Sequence, residues 1–383
     1  MENPTLPQAL NLIMEQRGWS QNQLAREMST PDDRVTQGWI SNVSRGTRDP
    51  GIGRVSGYLQ RVGWEVRIVP IGEVDPVDRR EFIAAAASVA FIPSPQAGPY
   101  QDPQYVRALA GRLEQMTGEG GGIPLIRSAL RHANAVKPAL RGRDRQLQAA
   151  SADLARKASL VLYDAQQRTQ AEHVATLGLD LARKAGYVES AAHAFENLCT
   201  FNAQHDPLRA AAYAQHGLQL RGLADEDRVR LRVRLATALT ASSANPKRQA
   251  RQALDQARTM LDDLSPISAA MVLGNAGIAL GRLKLHEEAD QSLAQAVRLF
   301  GHMPQLSALY LAQQIKAALH ANDPDKAAHQ IHALTRLTPL VESARLDQHI
   351  TDILKSSTPW ANSRDMRNAR EHLHTVASGT LPP

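Results

Sequence analysis

In the first sixth of the chain, the side chains best suited to chemistry are amides, hydroxyls and guanidinium groups. With Ile40 and Val43 facing inward on a helix that turns 100° per residue, the opposite face shows Gln37, Gly38, Ser41, Asn42 and Arg45. Gln and Asn can make paired hydrogen bonds to an adenine edge and Arg to a guanine edge, while a Gly lets the helix backbone approach a groove. Thr36 stands near the helix start, placed to cap it or to meet a phosphate at its positive end. Arg48 and Arg54 flank the helix and suit phosphate contacts. Trp39 reads as a packing residue.

Other chemistry has thinner support. His329-x-x-His332 and His372-x-His374 have metal-like spacing, but no Cys or arranged carboxylates accompany them, so they read as histidines on surface helices. The single Cys199, between Leu198 and Phe201, reads as core, and one Cys excludes a disulfide framework or a Cys-based metal site within the chain. There is no phosphate loop, no Gly-rich strand-to-helix turn and no nucleophile elbow. The expectation is a protein that is not an enzyme and needs no cofactor.

The elements that must position the polar face follow from helix punctuation. A first helix spans about Pro7 to Gln16, with Leu6, Leu10, Ile13 and Met14 on one face, and stops before Gly18. Ser20 with Gln23 three residues on forms a capping box, opening a second helix with Leu24, Ala25 and Met28 inward. The turn Ser29-Thr-Pro-Asp-Asp33 leads to a third helix from about Val35 to Ser44, ending at Arg45-Gly46. Asp49-Pro50 opens a fourth. The string Trp19-Ser20-Gln21, Gln23-Leu24-Ala25, Ile40-Ser41-Asn42, Arg45-Gly46 and Asp49-Pro50 resembles the XRE (phage-repressor-like) helix-turn-helix family over about residues 5 to 64. It departs from the family pattern in a longer stretch between Ala25 and Ile40, which leaves the start of the third helix open. The resemblance implies sequence-specific binding of double-stranded DNA. Residues 1–70 hold eight Arg and no Lys against seven Asp or Glu, a net of +1, so tight binding calls for a homodimer on a palindromic operator.

The texture changes after residue 64. Trp64 to Pro70 alternates like a short extended segment, and residues 71–104 read as a Pro-rich linker with one helix near Asp78 to Ala90. Arg79-Arg80 within it mimics a twin-arginine signal but sits behind a globular pattern. From about 105 to 376 the chain reads as helical and repetitive. Ala171/Ala175/Gly178, Ala210/Ala214/Gly217, Ala250/Leu254/Ala257, Ala289/Leu293/Ala296 and Ala327/Ile331/Leu334 recur at intervals of 39, 40, 39 and 38 residues. Each set forms one helical stripe on which a neighbouring helix can pack closely. With only 4% aromatic residues and many Ala, Leu, Gln and Arg, the composition also favours helices.

The segment Leu273, Gly277, Ala289, Leu293, Ala296 resembles a tetratricopeptide (TPR) repeat, although the period exceeds the family's roughly 34 residues and the aromatics are mostly missing. The expected fold class is therefore all-α: an N-terminal helix-turn-helix domain (1–70), a linker (71–104) and a TPR-like α-solenoid of helical hairpins (105–383). This layout resembles peptide-pheromone-sensing regulators, which implies transcription regulation through a peptide or small-molecule effector on the concave surface. Aligning the repeats places Lys157, Tyr163, Glu196, Asn202, Asn275, Arg282 and Gln313 inward on the first helices, with Lys157 and Arg282 suited to a carboxylate. No apolar run is long enough to span a membrane, and a cytoplasmic location is expected. The alternative is a TPR-like protein-interaction adaptor without direct DNA binding. A net charge of +6 permits a polyanionic partner under either reading.

Overall fold

The computed structural model describes residues 6–30, 33–44, 58–59, 99–242 and 247–378. The expected segments at 64–70 and 78–90, the helix opening at Asp49, the face residue Arg45 and the flanking residues Arg48 and Arg54 lie outside the described residues. The chain divides into two compact units, Met1–Ser94 and Pro95–Pro383, with the division inside the stretch read as linker. Among the described residues no helix is long and apolar enough to cross a membrane.

In the first unit, α1 (Leu6–Arg17), α2 (Gln21–Met28) and α3 (Gln37–Ser44) pack on one another. Their shared core is Leu10, Ile13, Leu24, Ala25, Met28, Val35, Ile40 and Val43, joined by Tyr58 and Leu59. Sequence spacing alone predicts the seven of these that lie on α1, α2 and α3 and pack inward together. The capping box is formed: Ser20 Oγ accepts from the Gln23 amide (3.3 Å) and Gln23 Oε1 accepts from the Ser20 amide (2.8 Å).

α3 begins two residues later than its apolar pattern suggests. Val35 is held in the turn, where its amide donates to Ser29 Oγ (2.8 Å), while Ser29 Oγ donates to the Ala25 carbonyl (2.8 Å). A two-way backbone pairing of Thr30 with Asp33 tightens the same turn. The apolar side chain of Val35 is buried because the turn packs under the helices, not because it belongs to α3.

The second unit is all-helical among its described residues. After α4 (Pro103–Gly120) and α5 (Ile126–Val136) come hairpins: α6 (Arg145–Asp164) with α7 (Arg168–Ala185), α8 (Val188–Asn202) with α9 (Pro207–Leu218), and α10 (Asp225–Ala241) with α11 (Lys247–Arg258). The series continues with α12 (Pro266–Arg282) and α13 (His286–Leu299), α14 (Pro304–His320) and α15 (Pro324–Leu337), then α16 (Ala344–Ser356) and α17 (Arg364–Ala377). Asp102, Asp206, Ser265 and Asp323 cap helices whose first residue is Pro, a pairing that satisfies orphan amides and needs no amide at the Pro itself.

All five small-residue stripes lie on the second helix of a hairpin, and every member is buried. Gly277 of α12 shows why small residues are used: a Cβ there would come within 2.5 Å of Leu293 on α13. Successive first helices α6, α8, α10 and α12 pack side by side, so they line the inner surface of a TPR-like array.

The array also closes on itself. α14 packs against α4, and α16 approaches α6. At the seam, Glu342 donates its amide to the Gly120 carbonyl (2.8 Å) and its carbonyl accepts from the Ile123 amide (3.1 Å). The buried Asp164 accepts from the Gly122 amide (2.8 Å) and from Ser343 Oγ (2.7 Å), and Gln166 donates to the Ala344 carbonyl (2.9 Å). Gly121 is required here, since its φ is +88° and a Cβ would lie 2.4 Å from the Glu342 carbonyl oxygen.

Candidate functional site

The outer face of α3 carries the first candidate site. Gln37 and Gly38 are exposed, and Ser41 and Asn42 are half-buried. The Thr36 hydroxyl accepts from the Trp39 amide (3.2 Å), so it caps the helix. Gln37 Nε2 donates to Gln21 Oε1 (3.0 Å), which ties the head of α3 to α2. A Cβ on Gly38 would meet nothing within 4 Å, so its smallness serves no packing need inside the unit. Trp39 packs edge-on against Tyr58 at 5.2 Å, and the Tyr58 hydroxyl donates to Asp33 (2.8 Å). Trp39 therefore braces the helix from the inner side.

The second candidate site is the space enclosed by the closed array. A cavity of about 650 Å³ is lined from α4, α6, α8, α10, α12, α14 and α16. A narrower space of about 110 Å³ adjoins it, sharing Tyr163, Arg234, Asn275, Gln313, Arg345 and His349 among its walls. The larger volume falls within the range typical of small-molecule sites.

A charged network crosses the cavity wall. Glu196 on α8 is ion-paired to Arg230 and Arg234, which lie one turn apart on α10. Arg234 donates on to Asn275 Oδ1, and Asn275 Nδ2 donates to the Tyr310 hydroxyl (3.1 Å) and the Met271 carbonyl (2.6 Å). Burial alone would raise the Glu196 pKa, but the two guanidinium groups override it and hold the carboxyl at about 2. On α16, His349 takes a hydrogen bond at Nδ1 from Lys316 (3.0 Å) and contacts Gln313 through Nε2 (3.1 Å). Burial, aided by Lys316 and Arg345, pushes its pKa down to about 3.

That depression carries a stability consequence. His349 has a folded-state pKa below its unfolded value of about 6.5, so its contribution is complete above that pH and is lost as pH falls toward 3. His132, pushed down to about 4 mainly by burial, acts in the same direction. A His349→Gln variant should lose about 2 kcal/mol less stability than the parent between pH 7 and pH 5 in denaturant titrations. An unchanged slope would contradict the assignment.

Of the inward residues expected from the repeat alignment, Lys157, Tyr163, Glu196, Asn275, Arg282 and Gln313 all line the two spaces. Asn202 does not. It is buried and donates to the Leu198 carbonyl (2.9 Å), one turn back, which turns it away from the inner surface. The charge of Lys157 is met within the molecule by Glu114 of α4, so it does not stand open to a ligand carboxylate. Cys199 is buried core and its thiol is pushed up to about 12 by burial, which leaves it inert at neutral pH. His332 and His372 are brought together at 5.6 Å between ring centres, a pairing across α15 and α17 that neither sequence spacing shows. Among the described residues no group of three or more His, Cys, Asp or Glu is placed to hold a metal.

Reading the sequence does not single out Arg230, Arg234, Tyr310, Arg345 or His349. The run Arg228-Val-Arg-Leu-Arg-Val-Arg234 looks like strand alternation, and only on a helix do Arg230 and Arg234 share a face. That i, i+4 spacing is the signal available. The contributions of α4 and α16 depend on closure of the array, for which the sequence carries no local mark.

These features define a class: an all-α chain whose first unit presents a polar helix face, and whose second is a TPR-like hairpin array closed around a cavity. No protein-family model matches the chain, and no curated protein matches it. Among solved structures it is similar to PlcR of Bacillus thuringiensis, crystallised with the peptide PapR7 and DNA, at 12% identity and a TM-score of 0.34. That likeness covers 96% of this chain and 98% of that one.

Proposed function

We propose that this chain is a sequence-specific DNA-binding transcriptional regulator whose helical-repeat unit binds a peptide or small-molecule effector that modulates its DNA affinity. The observation that carries the reading is the outer face of α3. Gln37, Gly38, Ser41 and Asn42 stand on a short helix whose opposite side is locked into the core by Ile40 and Val43. Amide side chains held on a rigid helix are what direct readout of base edges in a major groove needs.

With a net charge of only +1 in the first 70 residues, one copy binds phosphates weakly. Two copies on a palindromic operator supply the missing affinity, with Arg45 as a further candidate on the face and Arg48 and Arg54 as candidate phosphate contacts beside it. A cytoplasmic homodimer follows as the working form. The effector acts by binding two arrangements of the helical-repeat unit unequally, which is the only way a ligand can shift an equilibrium.

The test is Gln37→Ala with Asn42→Ala, both at positions where Ala is readily accommodated in a helix. Preference for the operator over random duplex should fall by about 1 to 3 kcal/mol per residue, while weak binding to random duplex persists. Unchanged preference would rule out α3 as the reading helix and favour the adaptor alternative.

A further inference from the structure

The narrow end of the cavity is lined by Arg168, Arg234, Arg282 and Arg345 and, among the described residues, by no Asp or Glu. Arg234 is already neutralised by Glu196. Arg282 is not: its guanidinium donates to the Thr237 carbonyl (2.9 Å), and Arg345 lies over the Tyr163 ring at 4.5 Å. Among the described residues neither has a carboxylate within salt-bridge distance. Burial holds the Arg282 pKa below its ordinary value. Arg282 and Arg345 are half-buried, and a partly desolvated guanidinium without a counter-charge is unfavourable, a cost that an anion beside it reduces.

The wide end has the opposite character. Ile267, Met271, Met303, Leu306 and Leu309 face the larger space, and Ile278 lines both. Flexible Met side chains adapt to an apolar guest without a fixed shape.

We infer that the narrow end is an anion subsite and that the effector is an amphipathic carboxylate, its head held by Arg282 and Arg345 and its apolar body lying along the Ile267, Met271 and Leu306 wall. This rests on the reading of the helical-repeat unit as the effector-binding part. It also connects the ligand to the seam. Arg345 follows Ala344, whose carbonyl accepts from Gln166, and Gln166 itself lines the narrow end. A head group held by Arg282 of α12 and Arg345 of α16 links the middle of the array to its closing helix, so the bound form is the closed form.

The probes are decanoate with decanamide, and an apolar tripeptide (acetyl-Leu-Leu-Leu) as free acid and as C-terminal amide, titrated calorimetrically into the full chain. One carboxylate should bind at least tenfold tighter than its own amide, and which pair shows the difference separates an alkyl acid from a peptide C-terminus. Arg345→Gln and Arg282→Gln should each erase the difference. Arg282→Gln without ligand should unfold no earlier than the parent, because it removes an uncompensated charge, which guards against reading a folding defect as lost binding. Equal binding of acid and amide would overturn the anion subsite while leaving the ligand cavity intact. No binding of either pair would overturn both the subsite and the cavity as an effector site.

Discussion

Glu196→Ala should destabilise the helical-repeat unit by about 3 to 5 kcal/mol, the range for removing one partner of a buried ion pair. The carboxylate is buried at 3% exposure, and it is the only anion ion-paired to Arg230 and Arg234 among the described residues. Without it two like-charged guanidinium groups one turn apart on α10 are left in a low-dielectric wall without their counter-charge. A Glu196→Gln variant keeps the hydrogen-bond acceptor but not the charge and should recover only part of the loss. Replacing all three by apolar residues of similar size (Glu196→Leu, Arg230→Met, Arg234→Met) should be less damaging than Glu196→Ala alone. The folded-state pKa of about 2 sets the pH window: the carboxylate's stabilisation is present above about 4.5 and is lost as pH falls toward 2. Denaturant midpoints of the variants, measured at pH 7 and pH 4, check each point. If Glu196→Ala loses less than about 1 kcal/mol, the network is not the keystone its geometry indicates.

The second large effect concerns the seam. Asp164→Ala leaves the Gly122 amide and the Ser343 hydroxyl without their acceptor in a buried setting, at about 1 to 3 kcal/mol for each orphaned group. The loss should be local. Hydrogen exchange at the Gly122, Ile123 and Glu342 amides should accelerate, while the amides of α8, α10 and α12 stay protected. Asp164→Asn, which keeps one carbonyl acceptor, should retain most of the protection. Exchange that rises uniformly along the array would mean that the seam is no separable unit, and unchanged exchange at those three amides would mean that Asp164 does not hold it.

The parts of the fold legible in the sequence are those fixed by neighbours in the chain. Ser20 and Gln23 three apart, Gly18 after Arg17, and Asp323-Pro324 each specify a helix end from local backbone chemistry alone. The Ala289/Leu293/Ala296 stripe and its four counterparts are equally local, because helical periodicity decides which residues share a face. Val35 marks the limit: an apolar residue beside a helix reads as part of it, and only the tertiary hydrogen bonds from Ser29 place it in a turn.

The candidate cavity was half legible for a similar reason. Aligning repeats recovers positions such as Tyr163, Asn275 and Gln313, whose direction depends on their own helix. It cannot recover Arg345 or Glu114, which reach the cavity only because small rotations from hairpin to hairpin sum to closure. Asn202 fails for a third reason, since an Asn can turn its amide back to a carbonyl one turn earlier in its own helix.

The most direct measurement of the central claim is enrichment of random duplex DNA on the purified full chain at physiological salt, read by sequencing, since affinity for phosphates is strongly salt-dependent. The account predicts a palindromic motif, enriched by the parent chain and lost in the Gln37→Ala, Asn42→Ala double variant. A folded, monodisperse sample that enriches no motif, or one whose motif survives both substitutions, would contradict it.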